Sequence, residues 1–435
     1  MNIQSPAQAP VSRPPLNEEQ QAALEQMLKW LDSPFATSGP FFLLRGSAGT
    51  GKTFCIRELV DRRKGRVIFT APTNKATKVL RRSVTTKDYK PECRTIYSLL
   101  GLRLQPTGEV KELKVPEDPI DLSKYLAIVV DEGSMVNQIL WKFIQKTAHD
   151  YKIKFIFMGD PAQLNPVKEG LSPIWGIEQS ASLETVMRHD NQILTLATHL
   201  RTQIEHPAPR PKLVDDNADD VGVWKVSPVV FNQWIDQYAQ DGLFSKPDGA
   251  KIIAWRNVTV DKYNAQVRRT IFGPEAHQPW LPGDRVIFTS PATTIDDQPM
   301  ASTDDEGTVE RVAVDWSRRD GDFKVYYITI ALDDGSMVVA EVLHPDYKSA
   351  FDRRVAELKA EALAIPRKWK FFWEFQECFH NLRHAYAITA HRAQGSTYNT
   401  AFVDYRDVLL NQNTAESMRC LYVACTRPKY RLFLG

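Results

Sequence analysis

The chain of 435 residues carries 43% hydrophobic and 25% charged side chains, a balance that builds folded domains and excludes disordered and collagen-like chains. Its length exceeds what one hydrophobic core supports, and no apolar run approaches a membrane span, so two larger domains with insertions are expected. A net charge of +2 excludes a wholly basic, histone-like surface, although a local groove can still hold nucleic acid.

Residues 1–15 are rich in Pro, Gln and Ala and lack the apolar centre of a signal peptide, which predicts a flexible N-terminal leader on a cytoplasmic protein with no membrane partner. The apolar stretch Phe41–Leu44 then leads into Gly46-Ser47-Ala48-Gly49-Thr50-Gly51-Lys52-Thr53 and on to Phe54–Val60. Strand, glycine loop and helix in that order make a P-loop. Its glycines let the backbone bend around a polyphosphate with amide hydrogens pointing inward. Lys52 reaches the β- and γ-phosphates, and the Thr53 hydroxyl suits a Mg²⁺ ligand. A nucleoside triphosphate with Mg²⁺ is the expected ligand.

Leu102–Leu113 alternates apolar and polar residues around Pro106-Thr107-Gly108, the pattern of a β-hairpin. Ala127–Val130 is an apolar strand ending in Asp131 and Glu132. An α/β NTPase needs carboxylates at such a strand end, Asp131 to hold the hydrated Mg²⁺ and Glu132 to orient and deprotonate the attacking water. A third strand, Lys154–Gly159, runs into Asp160-Pro161-Ala162-Gln163, where Gln163 is a candidate sensor of the γ-phosphate.

Further along, Lys251–Trp255 reads as a strand and Val258–Asn264 as part of a helix. Pro282–Phe288, Glu306–Val312 and Lys324–Ile330 are short alternating strands, the first two after glycine turns, and predict a small SH3-like β-barrel. Pro345–Ala364 has a helical period with mixed charges on its exposed positions. Trp369–Phe379 is dense in aromatic rings and reads either as core joining barrel and helix or as a base-stacking platform. The five cysteines form no Cys-x-x-Cys pair and the nine histidines no ligand-spaced cluster, so reduced thiols without a zinc or iron–sulfur site are expected.

The ordered set of motifs resembles superfamily 1B, the 5′-to-3′ branch of the superfamily 1 DNA helicases, in its Dda and RecD types. Leu16–Gln20 looks like the element that reads adenine, with Gln20 as the reader. Thr70–Ala76 resembles the DNA-contacting motif after the second strand, which implies strand contacts by Pro72, Thr73 and Asn74. Thr95–Gly101 resembles the next one, with Tyr97 where many members carry His. Leu183–Arg188 matches the motif that supplies one arginine to the γ-phosphate. Thr389–Ser396 and Leu421–Arg427 match the last two motifs, implying DNA contacts by Thr389 and His391, nucleotide contacts by Gln394 and Gly395, and a second arginine finger in Arg427. Such cations stabilise charge spreading over the γ-phosphoryl oxygens when two domains close. Arg188 and Arg427 also read as ordinary ion-pair residues. Gly133 and Arg392 depart from the family's usual Ala or Val and Lys; neither removes a group needed for hydrolysis.

The resemblance implies an α/β fold of two RecA-like P-loop NTPase domains with an inserted β-hairpin pin and an SH3-like barrel. Domain 1A takes residues 16–101 and 123–190, the hairpin 1B residues 102–122, domain 2A residues 191–272 and 380–435, and the barrel with a helical strut, 2B, residues 273–379. The hairpin becomes the pin that splits the duplex, with Val110 or Leu113 stacking on the parting base pair, an exposed structural hairpin being the alternative. The expected function is an ATP- and Mg²⁺-dependent DNA helicase that moves 5′ to 3′ on single-stranded DNA as a monomer and opens forked duplex DNA. Phage replication, recombination or repair in a bacterial host cytoplasm, with a single-stranded DNA-binding protein as partner, is the implied setting. A translocase that strips proteins without unwinding and a partner-regulated P-loop ATPase share the same phosphate chemistry.

Overall fold

The computed structural model describes residues 15–63, 66–85, 89–115, 121–166, 169–185, 192–205, 211–218 and 220–435. Strands that are apolar on both faces need cover on both sides, and the chain supplies it twice. Near the N-terminus six parallel strands lie in the order Cys93–Thr95, Val67–Ala71, Ala127–Val130, Lys154–Gly159, Phe41–Gly46, Ser180–Leu183. Alternation along each strand divides the apolar side chains between two cores. Phe42, Leu44, Phe69, Val129 and Met158 pack with helices Glu18–Asp32 and Lys52–Arg62, whereas Leu43, Ile68, Ile128, Phe155 and Phe157 pack with Gln138–Tyr151.

The second sheet runs Ala387–Thr389, Ala250–Ala254, Tyr398–Val403, Pro428–Leu434, Val221–Lys225, Asp216–Ala218, parallel except for the last edge strand. Ile253, Val403 and Leu432 face helices Gln192–Glu205 and Thr414–Cys425, while Ile252, Phe402 and Phe433 face Pro228–Gln240 and Asn257–Phe272. The architecture is that of two RecA-like domains.

Two insertions decorate them. Arg103–Thr107 pairs antiparallel with Val110–Lys114, closing a hairpin at Gly108, whose φ of 68° favours glycine. The insertion in the second domain is an antiparallel sheet in the order Met337–Leu343, Lys324–Leu332, Glu306–Trp316, Arg285–Phe288, Leu382–His384. Its hydrogen-bonded order has two ends, but the sheet curls so that they approach. His380 N–H donates to Glu341 O at 2.8 Å, and Glu341 N–H donates to His380 Nδ1 at 2.9 Å. Leu382–His384 pairs within this sheet, so the chain rejoins the second RecA-like sheet at Ala387.

Helices Lys348–Ala364 and Trp369–Gln376 follow the curled sheet. Their aromatic residues are mostly core: Phe351 stacks on Phe375 at 5.0 Å beside Phe323 and Phe379, and Trp369 and Phe372 pack around Ala362. Phe371, 60% exposed, is the exception among them.

Candidate active site between the two domains

The P-loop takes its shape from glycine conformations. Gly49 and Gly51 have φ of 89° and 82°, and a Cβ on Gly51 would lie 2.4 Å from Gln20 Nε2. Gln20 is buried, donates from Nε2 to Thr50 O at 3.1 Å and accepts from Asn17 N–H at 3.2 Å, bracing the loop from the first helix. Thr50 Oγ1 closes back on Ser47 O at 3.0 Å. Lys52 Nζ rests on Gly46 O at 2.6 Å and Ser47 O at 3.0 Å, inside the curl of the loop. Thr53 sits half-buried in the first turn of the following helix, and Ala48 N–H points to Tyr422 Oη at 3.4 Å.

Asp131 and Glu132 stand at the end of strand Ala127–Val130, where Asp131 Oδ1 accepts from Glu132 N–H at 2.9 Å. Glu132 has a φ of 50°, a left-handed conformation that is costly for a side chain of this kind and concentrates at functional sites. Burial raises the Asp131 carboxyl above its ordinary range. Burial first, and then the neighbouring Asp131, push Glu132 up to about 7. Two crowded carboxylates of raised proton affinity, both near enough to Lys52 to feel its charge, fit a divalent cation, which relieves both burial and repulsion. The departure at Gly133 has a packing reason: a Cβ there would lie 2.7 Å from Ile174 Cδ1 and 3.0 Å from Met158 O.

The second domain completes the site. Gln394 Nε2 donates to Gln163 Oε1 at 3.1 Å and lies 3.4 Å from Glu132 Oε2 and 3.5 Å from Ser134 Oγ. Tyr422 Oη donates to buried Asp160 Oδ2 at 2.7 Å. Arg419 donates to Gln163 O at 2.8 Å and also to Pro161 O. Arg427 is 6% exposed, with Nε on Val423 O at 2.8 Å, Nη1 on Ser396 O at 3.2 Å and Nη2 on Thr426 Oγ1 at 2.7 Å. Its charge favours the ionised form of Glu132. Gly395, at a φ of 74°, lies against helix Asn74–Val84, where its Cβ would approach Ala76 Cβ to 3.3 Å. Sequence reasoning missed Asp160, Ser134, Arg419 and Tyr422 as members of this cleft. The available signal was polar Arg419 and Tyr422 set three apart in helix Thr414–Cys425, which ends just before Arg427. Arg188 lies outside the described residues.

The expected strand contacts divide. Thr73 caps helix Asn74–Val84 through a bond from Ala76 N–H at 3.2 Å, with Pro72 and Asn74 half-buried beside it. Thr389 caps Ala390–Ala393 in the same manner. Tyr97 packs against the core around Leu43 and Ile68, and its burial raises the phenol's proton affinity. His391 turns toward helix Thr414–Cys425, where Nε2 meets Glu416 Oε1 at 3.4 Å and shares a pocket with Cys420, the three ligand atoms lying within 4.8 Å of one another. On the hairpin, Val110 is 56% exposed, whereas Leu113 packs against the core of the first domain. The hairpin docks on helix Trp369–Gln376: Trp373 Nε1 donates to Gly108 O at 3.0 Å, and Lys111 pairs with Glu377.

A P-loop in one RecA-like domain, faced by Gln394 and Arg427 from the other, defines an ATPase whose nucleotide cleft lies between two domains. Residues 15–210 match the AAA domain family and residues 384–434 the UvrD-like helicase C-terminal domain. The ATP-dependent DNA helicase dda of Enterobacteria phage T4 is 26% identical, aligned over 90% of this chain and 93% of that one. An uncharacterized protein, R530, of Acanthamoeba polyphaga mimivirus is 25% identical over 96% and 99%. A Pif1 helicase from Bacteroides, solved with ADP-AlF3 and single-stranded DNA, shares the fold at a TM-score of 0.53 and 16% identity, covering 97% of this chain and 92% of that one. With helicase-type family matches at both ends and similarity to Dda along nearly its whole length, the chain is an ATP-hydrolysing helicase that shares its fold with Pif1. Among the described residues no helix is long and apolar enough to cross a membrane.

Proposed function

We propose that this helicase moves 5′ to 3′ on single-stranded DNA and opens duplex DNA ahead of it. The observation that carries the reading is the bridge from Gln394 in the second domain to Glu132 and Gln163 in the first, which lets the nucleotide state set how the domains sit. Lys52 exchanges its bonds to Gly46 O and Ser47 O for the β- and γ-phosphates of ATP. Glu132 takes a proton from the attacking water, Gln163 and Gln394 register the γ-phosphate, and Arg427, with Arg188, stabilises the charge that spreads over it. Thr53 and Asp131 would hold Mg²⁺, which when bound neutralises the phosphate oxygens. Gln20 reads the adenine from its brace on the loop.

Pro72, Thr73, Asn74, Tyr97, Thr389 and His391 line the strand path, with Tyr97 and His391 acting through the positions of their neighbours. Val110 at the hairpin tip splits the leading base pair, and the helices that hold the hairpin form the strut coupling it to the motor. Polarity is taken from the family resemblance, as are monomeric action, a phage role in replication, recombination or repair in the host cytoplasm, and a single-stranded DNA-binding protein as partner. The test measures ATP hydrolysis with and without single-stranded DNA, together with opening of duplexes bearing a 5′ or a 3′ tail. Stimulation and opening from the 5′ tail alone are expected. No stimulation would instead favour a partner-regulated ATPase, and stimulation without opening a translocase.

A further inference from the structure

Helix Asn74–Val84 carries Lys75 and Lys78 across to the inserted sheet, where the acidic run Asp304-Asp305-Glu306 meets them. Lys75 Nζ lies 2.8 Å from Glu306 Oε1, and Lys78 Nζ lies 2.8 Å from Asp305 Oδ1 and 2.9 Å from Asp334 Oδ2. From the second domain Arg392 Nη1 is 2.9 Å from Asp304 Oδ1. Lys75 and Arg392 lie within the two segments that resemble DNA-contacting motifs, and Lys78 lies two residues beyond the first of them. Each is held by carboxylates of the inserted segment, and Lys75 and Lys78 with Asp304, Asp305, Glu306 and Asp334 line a cleft of about 670 Å³.

The acids are of two kinds. Glu306 is anchored from behind by buried Lys251 at 2.8 Å and by Arg285 at 3.5 Å, so it belongs to the scaffold. Asp304 and Asp334 are less anchored: Asp334 is an exposed turn residue whose further partners are Ser336 N–H at 3.1 Å and Ser336 Oγ at 2.6 Å, and Asp304, at a φ of 67°, faces Arg392 with Lys75 nearby. A carboxylate and a phosphodiester each offer an ammonium or guanidinium two anionic oxygens, so one can replace the other without leaving the cation unpaired.

We propose that this acidic edge is an internal stand-in for the nucleic-acid backbone: Asp304, Asp305 and Asp334 hold Lys78 and Arg392 in the strand-free state, and phosphates of an entering single strand displace them. The inference rests on the reading of the chain as a single-strand motor. The strand then gains only the difference between phosphate and carboxylate contacts. Cations taken up by the released carboxylates offset those released from the strand, which flattens the salt dependence of binding. Entry also separates helix Asn74–Val84 from the inserted sheet, coupling strand occupancy to domain position.

The test uses the full chain, with Asp304→Asn and Asp334→Asn alone and together, and follows binding of a fluorescent oligothymidylate across a salt series alongside thermal melting. The paired variant should bind about 10-fold tighter at low salt, with a steeper salt dependence. Lys78→Ala should weaken binding more in that background than in the native chain. Asp334→Asn, at an exposed turn, preserves the fold and should by itself give about a 3-fold gain, so it decides the matter if the paired variant fails to melt cooperatively. Binding by the native chain with no gain in a folded variant overturns the latch and leaves the motor reading standing. Absence of binding in native chain and variants alike overturns both.

Discussion

Glu132 shows how much a single backbone angle and a single buried charge can set. Its left-handed φ turns the carboxylate off the strand end toward Gln394, and burial beside Asp131 pushes it up to about 7. A base must be ionised to accept a proton, so kcat/KM for ATP should rise with pH through a midpoint near 7 on its acidic limb. A flat profile between pH 6 and 8, about a unit either side, would remove Glu132 from that role. Glu132→Gln keeps the volume and the bond to Gln394 but cannot take the proton, so ATP binding should persist while turnover falls by roughly 10²- to 10⁴-fold. Lys52→Ala should abolish duplex opening because the β/γ-phosphate contact is gone, and retained opening would contradict its placement. These residues were legible in the chain because a P-loop and a strand-terminal acid pair are local patterns. Gln20 was legible only as a position, since its brace on Thr50 depends on the fold around Gly51.

At the scale of elements, the hairpin and the helix Trp369–Gln376 form one unit, although about 260 residues separate Gly108 from Trp373. Trp373 holds the hairpin turn through Gly108 O, and Lys111 lies 5.0 Å from the Trp373 ring centre while paired with Glu377. Trp373→Ala with Lys111→Ala should leave DNA-stimulated ATP hydrolysis near the native rate and lower duplex opening by about 10-fold. An equal loss of both activities would count against the strut. The curled sheet has its own titration. His380, buried and beside Arg319, is held down to about 4, with Nδ1 accepting from Glu341 N–H. The unfolded chain takes up a proton at the ordinary histidine pKa and the folded chain does not. Stability should therefore fall as pH drops from about 6.5 toward 4, by on the order of 3 kcal/mol, and level off below. Chemical denaturation of His380→Asn across that window should show a flatter dependence on pH. Hairpin and strands were visible as alternating patterns; the docking of one on the other was not, because no periodicity encodes a contact between distant segments.

For the molecule as a whole, the interdomain contacts decide how hydrolysis becomes movement. Tyr422 on Asp160 and Arg419 on Gln163 O clamp the second domain to the loop that carries Gln163. Tyr422→Phe with Arg419→Ala should reduce the stimulation of ATP hydrolysis by single-stranded DNA by about 5-fold or more, with little change in the unstimulated rate. An unchanged ratio would show that the domains communicate by another route. The chain by itself determined the chemistry: glycine spacing dictates a phosphate loop, and an apolar strand dictates where its terminal acids emerge, while the two RecA-like domains were implied by the resemblance that the motif order carries. The loop and the acid pair are each a property of a few adjacent residues, so local sterics and burial suffice to write them. Only the tertiary structure decided which residues meet across the cleft, that Tyr97 and His391 turn inward, that Leu113 is partly buried while Val110 is exposed, and that Asp304 and Asp334 face Arg392 and Lys78. Those outcomes depend on packing between segments tens to hundreds of residues apart, where the energy of each contact is set by the whole assembled surface and by no local pattern.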